Sequence, residues 1–402
     1  MQRIAIKRMM IIIISAIILL FVAKGIWVSC ATIGHGSFDS ERKDIIRRAN
    51  YLTSKVATSP QELLDEMTSG IGAQFQGEWA LYSCSMTSAA LANIAILYPQ
   101  NKELSIKFIG QIIDIALSPE IREYDALRWM EDPMEGIYGD LSHISYYSHI
   151  AWMISRYKQI GGDNKYDDVY HSLCKAMNRR IRQNPYLNLP TYPEEYIYIP
   201  DMLVAIVALH NYSCQYDGKY SSTVNMWIER AKNEWIDKET GLLASILVDD
   251  VDSVAIMQPI RGSYSALNCY YLSLIDSEFA KVQYECLKEK FRQDFLINGI
   301  KEYHDETCLL GFDIDAGPII LNLSPSGTAF AIGCATSLED MTFRSQLLKT
   351  AEIAGSTVTW FGKSHYWLAN WALVGEAITL AMRTSAPQTR ISNYKKTSSQ
   401  GL

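Results

Sequence analysis

Apolar residues recur along this chain at three- and four-residue intervals, and polar punctuation divides them into about a dozen segments. The spacing predicts helices over 40–56, 79–97, 103–117, 121–130, 143–160, 166–183 and 201–212. Six more follow over 221–236, 263–274, 278–296, 326–337, 341–354 and 366–382. Helix breakers close several of them: Tyr98-Pro99, Ser118-Pro119, Gly161-Gly162 and Asn184-Pro185. Only 241–257 reads as strand, with 243–248 and 254–257 flanking a turn-like Asp249-Asp250-Val251-Asp252.

Helices joined by loops of mostly about 3–10 residues are sequential antiparallel neighbours. These helices are apolar on more than one face, which two concentric layers would bury. The expected fold is all-α, an (α/α)6-type toroid of sequential helical hairpins over 40–384, with one short β-hairpin insertion. A superhelical solenoid is the alternative, but the chain shows no fixed sequence period.

The ends differ from the body. Residues 1–8 are basic (Arg3, Lys7, Arg8), and 9–28 are almost wholly apolar, with Ser15 and Lys24 the exceptions. Basic residues ahead of an apolar run predict a cytoplasmic N-terminus and a single-pass transmembrane anchor, with the bulk extracytoplasmic on the periplasmic side. A cleaved signal peptide has an equally short apolar core, and Trp27-Val28-Ser29-Cys30 faintly imitates a lipoprotein site. Residues 385–402, polar and Ser/Lys-rich, read as a flexible tail.

A hydrophobic content of 48% with 20% charged residues is that of a well-packed globule, and a net charge of −7 excludes a nucleic-acid partner. The eight cysteines form no CxxC pair, so neither zinc-ribbon nor redox spacing is present.

Candidate chemistry concentrates in 129–209. His149-Ile-Ala-Trp152-Met, the Tyr157-to-Tyr166 turn with its Gly161-Gly162, Asn184-Pro185, Pro193-Glu194-Glu195, 204–209 and Trp235-to-Leu243 together resemble the linalool dehydratase/isomerase family. The resemblance covers about 120 residues. It implies an (α/α)-barrel without cofactor or metal, found in the periplasm, that dehydrates and isomerises small terpene alcohols by acid–base chemistry. It puts His149 on the family's catalytic histidine. The family's two catalytic cysteines fall on Tyr192 and Asp201, so chemistry here would not depend on a thiol.

The residues also speak for themselves. His149 titrates near neutrality unless perturbed, and serves as proton donor or acceptor, or as a helix-start histidine bonded to a carbonyl. Glu194 and Glu195, if extended, point to opposite faces, so one of them meets the funnel. Asp201 after Pro200 is a proton-exchanging group or a helix N-cap. Asp313 and Asp315 share a face if extended, where mutual repulsion would split their pKa values; calcium binding and arginine pairing are the alternatives. Glu78-Trp79 is a funnel-mouth acid beside a stacking ring, or a first-turn acid on a helix dipole. Arg261 stands at a helix entrance, suited to an anionic or hydroxylated ligand. Tyr192, Tyr196 and Trp152 suit a terpene pocket or sugar stacking.

The expected function is a membrane-anchored, cofactor-free lyase or isomerase (hydro-lyase-like) acting on a small hydroxylated substrate. His149, Glu194, Asp201, Asp313 and Asp315 would be the catalytic residues, with no metal. A glycoside hydrolase-like, glycan-processing toroid and a non-catalytic binding module are the alternatives, and either is compatible with a homo-oligomer. An open cleft rimmed by tryptophan would favour a glycan, and a closed apolar pocket a terpenoid.

Overall fold

The computed structural model describes residues 22–385, except 32, 35–36, 69–71, 195, 251–252, 295–296 and 306–307, together with residues 10, 15 and 19. Half of the expected anchor at 9–28, the basic start and the tail beyond 385 lie outside the described residues, as does Glu195.

Helix α1 (22–30) leads into α2 (Phe38–Val56), the short α3 (Pro60–Asp65), α4 (Ala73–Leu97) and α5 (Lys102–Ala116). Then come α6 (Pro119–Trp129), α7 (Ile144–Gln159), α8 (Asp167–Gln183), β1 (Ile197–Tyr198), α9 (Ile199–Gln215) and α10 (Ser221–Glu234). Strands β2 (Ile246–Asp250) and β3 (Ser253–Ile256) precede α11 (Gly262–Ser273) and α12 (Ser277–Phe291). Four short strands follow: β4 (Arg292–Gln293), β5 (Gly299–Ile300), β6 (Leu310–Asp313) and β7 (Gly317–Ile320). The last described elements are α13 (Pro325–Ser337), α14 (Met341–Gly355), β8 (Thr357–Trp360), β9 (Lys363–Tyr366) and α15 (Leu373–Arg383).

Helices α4, α7, α9, α11, α13 and α15 pack side by side into a closed inner ring, and α2, α5, α8, α10, α12 and α14 lie outside it. Sequence explains the sorting. All twelve residues of α11 are buried, as an inner helix walled by neighbours requires. Outer α8 buries one stripe, Tyr170, Leu173, Cys174, Met177 and Ile181, at helical spacing. The segment Phe75–Leu97 is apolar and long enough to cross a membrane, yet most of it is buried, as an inner helix of a folded ring would be.

Since each inner helix is preceded by an outer one running the opposite way, all six inner helices start at the same end. The turns at the opposite end are tight; Asp276 and Asp340 cap α12 and α14 there by accepting from the N–H groups of Phe279 and Phe343. The connections at the entrance end are long, up to residues 292–324. The expected loop lengths therefore hold for one end only. Among the described residues the single expected β-hairpin is in fact part of a three-stranded sheet, β1-β2-β3, accompanied by three two-stranded ones, β4-β5, β6-β7 and β8-β9. All of these strands lie in entrance-end connections, where they wall a funnel.

The ring is closed between its first and last elements by buried ion pairs. Glu41 of α2 accepts from Arg344 of α14 and Arg383 of α15, both at 2.7 Å, and Arg48 meets Glu376 at 2.7 Å.

Candidate active site

The funnel wall is built in helical steps. On α4, Glu78, Tyr82 and Ser85 follow at i, i+4 and i+7, one above another down a single face. On α7, Ser145, His149 and Trp152 do the same. Ser85 Oγ and His149 Nδ1 are 2.8 Å apart, and the edge of the Tyr82 ring meets the imidazole at 4.8 Å between centroids. Deeper still, Trp152 and Tyr271 of α11 pack edge to face.

Three carboxylates crown this stack. Glu78 reaches Arg128, from the last turn of α6, at 3.4 Å, and the Arg128 guanidinium lies 3.5 Å over the Tyr192 ring. The Tyr192 hydroxyl is 3.2 Å from Ser145 Oγ, which is 3.1 Å from the Tyr124 hydroxyl. Asp201, in the first turn of α9, accepts from Thr191 Oγ1 at 2.7 Å. Asp315, in the β6-β7 turn, accepts from the Tyr264 hydroxyl of α11 at 2.6 Å.

Their electrostatics differ in a useful way. The surrounding wall desolvates Glu78 and lifts its carboxyl to about 8; Arg128 opposes this, and the charges of Asp201 and Asp315 add to it. Yet 31% of the side chain meets solvent, so water reaches the carboxyl. Asp201 is lifted to about 6, first by desolvation and then by the charge of Asp315, against the bond from Thr191. Asp315 is also raised, by desolvation and by Asp313. Near pH 7 Glu78 therefore holds a proton while Asp201 is largely ionised.

Several expected site residues sit differently. Asp313 and Asp315 do not share a face, because the chain reverses between them. Asp313 Oδ1 accepts from the N–H groups of Asp315 and Ala316 in the hairpin turn and from Arg261 at 2.7 Å, which holds its carboxyl below the usual range. Arg261 is accordingly occupied: it pairs with Asp313 and, at 2.6 Å, with buried Glu302. His149 lies inside α7 rather than at its start, and desolvation depresses its pKa to about 3, so the ring is neutral. Glu78 lies in the second turn of α4, whose helix starts earlier than expected, so it is no first-turn dipole partner. Glu194 occupies an exposed turn with φ +58° and joins none of these groups. Asp201 is not an N-cap; that position is Tyr198. Trp79 packs against the core, Trp152 is buried in the ring, and Tyr196 is exposed at the rim. Tyr192 is buried beneath Arg128.

Sequence reasoning missed Arg128, Thr191, Tyr82, Tyr264 and Glu302. Arg128 immediately precedes the 129–209 stretch that drew attention, and Tyr264 lies three residues beyond Arg261. Their partners lie about fifty residues away in the chain, where spacing gives no cue.

No protein-family model and no curated protein matches the chain. Solved structures do. A family 105 glycoside hydrolase of C. acetobutylicum ATCC 824 aligns with TM-score 0.52 at 12% identity, over 78% of this chain and 93% of that one. An unsaturated glucuronyl hydrolase specific for heparin aligns with TM-score 0.52 at 11% identity, over 78% and 86%. The chain shares their (α/α)6 toroid. These two neighbours are glycoside hydrolases and not linalool dehydratase/isomerases.

Proposed function

We propose that the protein is a glycan-processing hydrolase acting on an acidic sugar at the funnel floor. The observation that carries this reading is the convergence of Glu78, Asp201 and Asp315 from three separate parts of the ring, with Glu78 protonated where Asp201 is ionised. Such a pair supplies an acid and a base at one pH. Glu78 gives its proton to the glycosidic oxygen as the bond to the anomeric carbon breaks. Asp201, seconded by Asp315, takes a proton from the water whose oxygen joins that carbon. Once Glu78 is neutral, Arg128 is left to pair with a substrate carboxylate, which matches the glucuronyl substrate of one structural neighbour. Neutral His149 supports the floor through Ser85 rather than exchanging protons with substrate.

The test is to offer the full chain uronate-ended and neutral oligosaccharides, and small terpene alcohols beside them, following products by mass spectrometry. Cleavage of acidic oligosaccharides is expected, about 10²–10⁴-fold slower in folded Asp201→Asn. Dehydration of the alcohol with every oligosaccharide left intact would replace this reading with the lyase one.

A further inference from the structure

Helix α1 descends along α14. Lys24 Nζ donates to the carbonyl of Ile353 at 2.9 Å, Lys349 Nζ to that of Ser29 at 2.7 Å, and Arg344 to that of Gly34 at 2.9 Å. Because α14 runs toward the funnel entrance, the start of α1 stands at the entrance end. The apolar run of residues 9–21 precedes it in sequence. Within α1, Val22, Ile26 and Trp27 are exposed.

The β8-β9 hairpin lies next to this point. Ser356, bonded by Lys24, immediately precedes β8. The hairpin is fastened to α2 by a bond from Arg48 to Thr357 at 2.6 Å and by stacking of Tyr51 on His365 at 4.0 Å. Its tip is Trp360-Phe361-Gly362-Lys363. Phe361 (φ +44°) and Gly362 (φ +76°) make a tight turn of positive φ, a place for Asn-Gly rather than a bulky aromatic. Phe361 is nevertheless 89% exposed and Trp360 71%. The β6-β7 hairpin, from the neighbouring entrance connection, adds exposed Leu310 and Phe312. Aromatic and apolar residues that sit strained and unburied on a well-fastened hairpin do not serve the fold.

We propose that this sector of the funnel rim docks on a lipid bilayer. Trp360 and Phe361 would enter the interfacial layer beside Lys363, the combination of aromatic and basic groups that favours the headgroup region. The apolar run ahead of α1 would enter the same bilayer, so two points fix the ring with its funnel opening along the membrane surface. The inference concerns orientation and does not depend on the reaction at Glu78.

The experiment uses the full chain in phosphatidylcholine–phosphatidylglycerol vesicles whose acyl chains carry bromine near the headgroup, which quenches tryptophan on contact. Quenching of the wild type is expected, with a clear loss of quenched emission in Trp360→Tyr. Phe361→Asp keeps every tryptophan and should show the same loss. Equal quenching in all three, or a chain that fails to float with vesicles, would overturn the proposal. So would Trp360 emission that responds to a soluble acidic oligosaccharide and not to the brominated lipid, which would make the hairpin a sugar platform.

Discussion

At the scale of single residues, protons distinguish the site from an ordinary buried cluster. Glu78 has a folded-state pKa of about 8 against an ordinary 4.5. The folded state thus binds a proton that the unfolded chain releases, and stability contributed by this group is full below about 4.5 and lost as pH rises through about 8. Glu78→Gln carries no such loss. Urea melts of the two proteins should agree best in acid and diverge in favour of the variant on the alkaline side; parallel curves at all pH values would mean that Glu78 titrates normally. Arg128 offers a second check. A charge-assisted hydrogen bond contributes about 1.5–3 kcal/mol, so Arg128→Met should raise KM for an acidic substrate about 10- to 100-fold. A neutral substrate should be bound almost unchanged. Equal loss for both would reassign Arg128 to holding Tyr192 in place.

At the scale of elements, most helices were legible because each carries its own punctuation: Tyr98-Pro99 ends α4, and Gly161-Gly162 follows α7. The β2-β3 hairpin was legible too, but β6 and β8 were not, because they are four-residue strands on an exposed rim, with aromatic residues facing water instead of alternating into a core. Asp313 and Asp315 were misjudged for the same reason: the turn between them cannot be seen as two positions of one strand. Asp201 and Glu78 were visible as acids near apolar helices, but their convergence with Asp315 depends on ring closure. That closure is carried by charges far apart in sequence. Burial opposes ionisation of Glu41, but Arg383 and Arg344 overcome it and hold the carboxyl below its ordinary value. Removing one member of a buried ionic set leaves the others unpaired, which costs about 3–5 kcal/mol. Glu41→Ala should therefore lower stability by about that amount in chemical denaturation. A cost below about 1 kcal/mol would mean that packing alone closes the ring.

At the scale of the whole molecule, the toroid has one plain end of tight turns and one elaborated end of long connections. Six parallel inner helices deliver their entrances to the elaborated end, so residues 78, 201 and 315 meet at one funnel although the chain separates them widely. The two structural neighbours share this ring at 11–12% identity, which shows how little of the toroid depends on particular side chains. Trp367 and Trp371, on the connection before α15, are exposed. The central claim is that Glu78 and Asp201 act as acid and base on a glycan. The pH dependence of kcat/KM for the best acidic oligosaccharide tests it most directly. The expected profile is a bell that rises near pH 6 as Asp201 ionises and falls near pH 8 as Glu78 loses its proton. In Glu78→Gln the activity should be much reduced and the alkaline limb absent. A wild-type profile without an alkaline limb, or one that Glu78→Gln leaves unchanged, would contradict the assignment.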